Sequence, residues 1–170
     1  MSTNFVNIAN ANVNTLPAFM AVVNDDTPME FTDSEIAEMV ADTESREPIA
    51  LETLIIEIVG TPADIRSNRE KSRRRVNFPL ALAAMKMIEH RTKNYSLDEM
   101  SQFVSTNIKV QAQQLVQEYV QFGMLGAEQI IMELVSTPET ITSNTDKARE
   151  NVNFDLALAI FDILDETSAN

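Results

Sequence analysis

The sequence predicts an all-α protein in which two tandem, related helical units follow an extended N-terminal arm. The chain has only three Gly and six Pro in 170 residues, and Ala, Leu, Met, Glu and Gln are plentiful, a balance that favours helix over sheet. The stretch 52–89 also recurs without a gap at 128–165, with roughly half of the aligned positions identical. A repeat of this quality indicates an internal duplication.

A second match sets the boundaries of the two units. Residues 31–40 align with residues 95–104 at an offset of 64, whereas the main repeat has an offset of 76. The difference of 12 predicts an insertion in the second unit. We therefore divide the chain into an Asn-rich arm at 1–30, helical unit one at 31–94 and helical unit two at 95–170, with an inserted amphipathic helix at about 107–123. Units this small bury little surface alone, so we expect them to pack together.

Local signals place the helices in order. Thr32-x-x-Glu35 and Ser96-x-x-Glu99 are capping boxes, which predict helices at about 33–43 and 97–106. A Pro in the first turn and an apolar stripe predict a long buried helix at about 48–59, with a counterpart at about 125–135.

The polar segments that follow begin with Thr61-Pro62 and Thr137-Pro138, each a cap residue before Pro. They are either a short turn plus a helix or one irregular helix. Asn77 and Asn153 are the predicted N-caps of the last helices, at about 78–91 and 154–166. In unit two, the polar segment could instead continue into this last helix without a break. The shared apolar periodicity predicts a core that contains Leu54, Ile58, Leu82, Ile131, Leu134, Leu158 and Phe161.

The N-terminal arm carries no charged side chain in residues 1–24 and is rich in Asn, which disfavours helix interiors. Its segment 16–23 is apolar enough to dock on the chain's own body or on a neighbouring molecule. The candidate docking residues are Leu16, Phe19, Met20 and Val22. The alternative is an unattached tail, which chain termini commonly are.

Sites that carry enzymatic chemistry are scarce in this sequence. The absence of Cys excludes disulfides and thiolate metal sites, and His90, the one histidine, lies at a predicted helix end where the macrodipole favours it. We find no nucleotide-binding, metalloprotease or hydrolase motif. We therefore expect no enzyme activity, no catalytic residues, no cofactor and no metal. No apolar run is long enough to span a bilayer and no signal peptide is evident, so we expect an intracellular, cytoplasmic or virion-associated protein without membrane contact.

Basic residues are concentrated in one part of an acidic chain. The net charge is −13, yet residues 66–93 hold nine of the 13 Lys and Arg residues. The candidate binding residues are Arg66, Arg69, Lys71, Arg73, Arg74 and Arg75. They could contact an acidic protein surface or nucleic-acid phosphates, although no aromatic side chain interleaves with them to stack on bases. A third hypothesis is an acidic inhibitor that imitates DNA, which the basic cluster weakens.

These observations favour a non-enzymatic protein–protein interaction or assembly protein whose partner is another protein or a second copy of itself. The matching stretches 66–93 and 142–169 have opposite net charge, so one molecule could bind the next head to tail and form a homo-oligomer. Pairing within the chain would remove this opportunity. The general character of a small, Cys-free, duplicated helical chain with a polar arm suggests a virus or phage assembly or host-takeover component.

Overall fold

The computed structural model describes residues 28–93 and 107–169. Every regular element in these residues is an α-helix. This confirms the all-α prediction. The predicted docking residues of the arm and the predicted helix at 97–106 lie outside the described residues. The helices are α1 (Asp33–Thr43), α2 (Pro48–Val59), α3 (Pro62–Ser67), α4 (Arg69–Arg74), α5 (Phe78–Arg91), α6 (Ile108–Phe122), α7 (Met124–Val135), α8 (Pro138–Ser143), α9 (Thr145–Glu150) and α10 (Phe154–Ala169).

Side-chain caps begin most of these helices where the sequence places them. Thr32 opens α1 with a complete capping box: its hydroxyl accepts from the Glu35 N–H at 3.1 Å, and the Glu35 carboxylate accepts from the Thr32 N–H at 2.9 Å. The Asn77 side chain accepts from the Leu80 N–H at the start of α5, and Asn153 accepts from the Leu156 N–H at the start of α10. Each cap satisfies a backbone donor that has no partner within its helix.

The polar segments are two pairs of short helices, α3–α4 and α8–α9. Asn68 ends α3 and caps α4, while Asn144 ends α8 and caps α9, and both asparagines have φ of −157°. The alternative of an unbroken helix into α10 is wrong, because the chain leaves the helical path after Glu150. There the Asn153 N–H donates to Leu134 O at 3.0 Å, as the Asn77 N–H donates to Ile58 O at 2.8 Å.

The long helices pack across the middle of the molecule into one core. Helix α2 packs against α10, and α7 packs against α5, so each half of the chain covers the other. Helix α1 contacts α2 and α5, and α6 contacts α7 and α10 in the corresponding way. The buried apolar side chains of both halves, except Leu125, belong to a single cluster. The described parts of the two predicted units therefore share one hydrophobic core.

Most of the predicted core positions are buried, but Leu82 and Leu158 are only half-buried. The buried arc of α5 centres near Ala81 and Ile88, and Leu82 lies about 100° further round the helix than Ala81. Leu80 and its counterpart Leu156 are buried instead. The prediction was wrong at these two sites because apolar residues cover more than half of the circumference of each helix. Their pattern therefore does not indicate which part of this face is most deeply buried.

Helices α6 and α7 approach each other closely at a glycine. A Cβ atom added to Gly126 would lie 2.4 Å from the Cα of Tyr119, a separation that real Cβ atoms do not show. Tyr119 is itself fully buried, and its hydroxyl donates to Glu47 O at 2.9 Å. This hydrogen bond fixes α6 against the chain just before α2.

Candidate interaction surfaces

The basic cluster is divided between contacts inside the chain and positions at the surface. Arg66 lies 3.5 Å from Asp162 and Arg69 lies 3.1 Å from Asp155, and both acidic partners belong to α10. All four side chains keep much of their exposure, so each pair contributes little to stability. The pairs still place these two arginines against the second half of their own molecule.

Arg73 makes a more specific contact, and Arg149 repeats it in the opposite direction. Arg73 Nη1 donates to Arg149 O at 3.1 Å and Glu150 O at 3.0 Å, while Arg149 Nη1 donates to Arg73 O and Arg74 O, each at 3.1 Å. The acceptors are carbonyls of the last two residues of α4 and of α9, where the helix dipole attracts cations. The two short helices therefore hold each other reciprocally.

Each of these arginines also stacks on an aromatic ring from the other half. The guanidinium of Arg73 lies 5.3 Å from the centre of the Phe154 ring, and that of Arg149 lies 5.0 Å from the Phe78 ring. These separations are typical of cation–π contacts. Arg73 is half-buried, and the Glu70 carboxylate accepts from its Nε at 3.0 Å. The structure thus gives Arg73 a role within the fold.

The remaining cluster residues differ in exposure. Lys71 is half-buried, whereas Arg74 and Arg75 are exposed at the end of α4. The predicted binding residues therefore do not form one surface. Arg66, Arg69 and Arg73 face α9 and α10, whereas Arg74 and Arg75 face outward.

A cavity marks the place where the chain enters the described body. The Asn77 Nδ2 donates to Met29 O at 2.8 Å and so attaches the start of this segment to α5. Beside it lies an open cavity of about 440 Å³, lined chiefly by Phe31, Ile36, Pro79 and Leu80.

An uncharged surface on α6, which the sequence analysis did not single out, lies on the opposite side of this helix from the core. Val110 and Val120 are 44% and 49% exposed. Gln113 and Gln117 are exposed between them, and these four residues are called the α6 stripe below. A groove of about 450 Å³ borders the stripe and is completed by Val116 together with Ile163 and Thr167 of α10. The four positions are separated by three, four and three residues, a helical spacing that could have identified the stripe from the sequence.

In two other places, an acidic side chain of one half lies near an acidic side chain of the other half. Burial, and then the nearby charge of Glu89, raise the pKa of Glu128 to about 7. Burial, and then a hydrogen bond and the charge of Asp165, raise the pKa of Glu52. Glu128 and Glu89 lie on α7 and α5, whereas Glu52 and Asp165 lie on α2 and α10.

Among residues 28–93 and 107–169, no group of three or more His, Cys, Asp or Glu residues is arranged to hold a metal ion. None of the described helices combines the length and apolarity of a membrane span. Comparison with known proteins adds no relative: no protein-family model, no curated protein and no solved structure matches this chain.

Proposed function

We propose that this chain is a non-enzymatic protein–protein interaction or assembly protein that binds its partner through the α6 stripe. The observation that carries the proposal is the exposure of Val110 and Val120 on either side of two glutamines, next to a groove with an apolar floor. Exposed apolar surface beside uncharged hydrogen-bonding groups is typical of protein interfaces, from whose centres charged residues are depleted.

The contacts of the basic cluster favour a protein partner over nucleic acid. Arg66, Arg69 and Arg73 contact carboxylates or carbonyls of their own chain. A phosphate would have to compete with these contacts, and the net charge of −13 opposes its approach. The α6 stripe contains no cation that could bind phosphate. The nucleic-acid and DNA-mimic hypotheses therefore have less support than a protein interface.

We further infer that the two halves are copies of one ancestral unit. Gly60 and Ser136, which occupy equivalent places in the repeat, have φ of 99° and 94° and the same ψ of 171°. The arginine contacts described above are reciprocal at an offset of 76.

The packing supports a simpler alignment of the units than one with an insertion. Buried Ile36, Val40 and Thr43 of α1 have buried counterparts 76 residues later, which are Ala112, Val116 and Tyr119 of α6. We therefore propose that α6 is the counterpart of α1. The positions of the α6 stripe then correspond to Ser34, Ala37 and Ala41 of α1 and to Glu44 just after it, so the two copies have diverged there.

The proposal is tested by affinity capture with the full chain in cells that contain its natural partners. Val110→Glu with Val120→Glu places two charges on the α6 stripe without touching the core. Ile49→Glu is the matched control, because Ile49 is an exposed apolar residue of α2. We expect a protein partner, which can be the chain itself, to be retained by the wild type and the control and lost by the double variant.

Two results would contradict the proposal. The first result is that the double variant captures all of the proteins that the wild type captures, which would show that the α6 stripe is not the interface. The second result is that the chain binds DNA or RNA and that the double variant Arg74→Glu with Arg75→Glu, while still folded, does not. This result would support the nucleic-acid hypothesis instead.

A further inference from the structure

We infer that the partner of the α6 stripe is a second copy of this chain, bound so that the two α6 helices run antiparallel about a two-fold axis. This inference rests on the proposed function, since it names the partner of the same surface. Three features support a second copy as the partner: the order of side chains along the stripe, their hydrogen-bonding chemistry and the charge of the whole chain.

The order of the side chains is the same from either end. The spacing of Val110, Gln113, Gln117 and Val120 is three, four and three residues, which matches the alternating a and d positions of a coiled coil. Reading the stripe backwards gives the same residue types. In an antiparallel pair about a two-fold axis, Val110 of one copy therefore meets Val120 of the other, and Gln113 meets Gln117. Such an interface is isologous, because both copies use the same surface.

The chemistry of each layer is compatible with this pairing. The two valine layers at the ends bury apolar surface. The two central layers place glutamine against glutamine, and each amide has both donors and acceptors, so an amide can satisfy another amide.

Charge argues for this face as the place where two copies meet. Each chain carries a net charge of −13, so two copies repel over most approaches. In α6 the charged residues are Lys109 and Glu118, and Glu118 is buried. The stripe therefore brings no carboxylate against another carboxylate. The groove beside it also offers Ile163 as apolar surface for the partner's helix.

The length of the stripe predicts a weak, reversible dimer. A 15-residue helix is about 22 Å long, and only part of it is exposed. Contacts of this size lie near the lower limit of specific interfaces, where association is transient. We expect a monomer at low concentration and a dimer at high concentration. Since the interface closes on itself, we expect neither rings nor filaments.

Disulfide trapping tests the arrangement directly, because the natural chain has no Cys. We would prepare Val110→Cys and Val120→Cys as two full-length variants and oxidise them separately and as a mixture. The expected result is a cross-linked dimer that forms in the mixture, joining position 110 of one chain to position 120 of the other, with little product from either variant alone. The control is Ser34→Cys mixed with Glu44→Cys, which are the equivalent positions on α1 and at its C-cap, and this mixture should not cross-link.

Sedimentation of the purified chain supplies the second measurement. Gln117→Glu places two carboxylates in the two-fold interface and is expected to weaken dimerisation at least about tenfold, since like charges within an interface are strongly unfavourable. Ser34→Glu adds the same charge on α1 and should leave dimerisation unchanged.

A full chain that stays monomeric at every concentration overturns this inference, as does a cross-link between two copies of position 110, which would require a parallel pair. A dimer that appears only after residues 1–27 are removed would show that the arm occupies the stripe, and would also overturn it. If the chain is monomeric while the α6 stripe still captures a different protein, the proposed function stands and this inference alone fails.

Discussion

Ser136 has a backbone conformation that suits glycine. Its φ of 94° and ψ of 171° place it in a region that non-Gly residues rarely enter, and the equivalent residue in the first half is Gly60, with φ of 99°. Both residues end a long helix just before a Thr-Pro pair. The packed helices before and after Ser136 hold it in this conformation, and the resulting backbone strain would be absent with glycine at this position.

We predict that Ser136→Gly stabilises the protein. Removal of the Cβ relieves strain of about 1–3 kcal/mol, and the greater entropy of glycine in the unfolded chain offsets part of this gain. The expected net increase in the free energy of unfolding is about 1 kcal/mol, measured by urea denaturation. Gly60→Ser is the matched reverse change and should destabilise. A loss of stability in Ser136→Gly would show that the Ser136 conformation is unstrained.

At the scale of single elements, the arginines at the end of α4 differ in what they stabilise. We predict that Arg73→Gln lowers the free energy of unfolding by about 1–3 kcal/mol, because it removes charged hydrogen bonds to the carbonyls of Arg149 and Glu150. Arg75→Gln, at an exposed position two residues later, should change stability by no more than about 0.5 kcal/mol. Equal effects of the two changes in thermal or urea unfolding would contradict this assignment.

Helix bounds could be predicted from the sequence far better than the contacts of the basic cluster. Capping residues such as Thr32 and Asn77 act within a few residues along the chain, so the sequence reveals them directly. The partners of Arg73 come from α9, which follows in the chain only after α5, α6, α7 and α8. Nothing local in the sequence says that a guanidinium will find those carbonyls, and the cluster therefore resembled a binding site.

The α6 stripe was missed for a different reason. The sequence predicted the helix at 107–123 and its buried face, but it gave no measure of what covers the opposite face. Gln113 and Gln117 were given no role, since glutamine is common on exposed helices. The exposure of Val120 beside Ile163 depends on where α10 lies, which is a property of the packing.

At the scale of the whole molecule, the two acidic pairs couple stability to pH. A carboxyl whose pKa is raised in the folded state binds its proton more tightly there than in the unfolded chain. For Glu128, stability is therefore greatest below pH 4.5, falls as the pH rises from about 4.5 to about 7, and is constant above that window. The raised pKa of Glu52 acts in the same direction.

We predict that Glu128→Gln flattens this dependence. The neutral amide avoids burying a charge near Glu89, so at pH 8 the variant should be more stable than the wild type by about 1–3 kcal/mol, since one pKa unit corresponds to about 1.4 kcal/mol. At pH 4 the two proteins should differ little. Glu139→Gln, which removes an exposed carboxylate of α8, controls for the change in net charge. Parallel stability curves for wild type and Glu128→Gln between pH 4 and 8 would contradict the prediction.

The crossed packing of the long helices has a consequence for synthesis of the chain. A ribosome releases α2 and α5 first, yet the helices that cover them, α10 and α7, come from the other half. The apolar face of α2 that α10 covers therefore stays open to water until translation has passed Leu164, the last buried side chain in the described part of α10. Contacts between distant parts of a chain form slowly, and open apolar faces promote aggregation meanwhile. Products that terminate early should therefore accumulate as aggregates or be degraded, even when they contain a complete first unit.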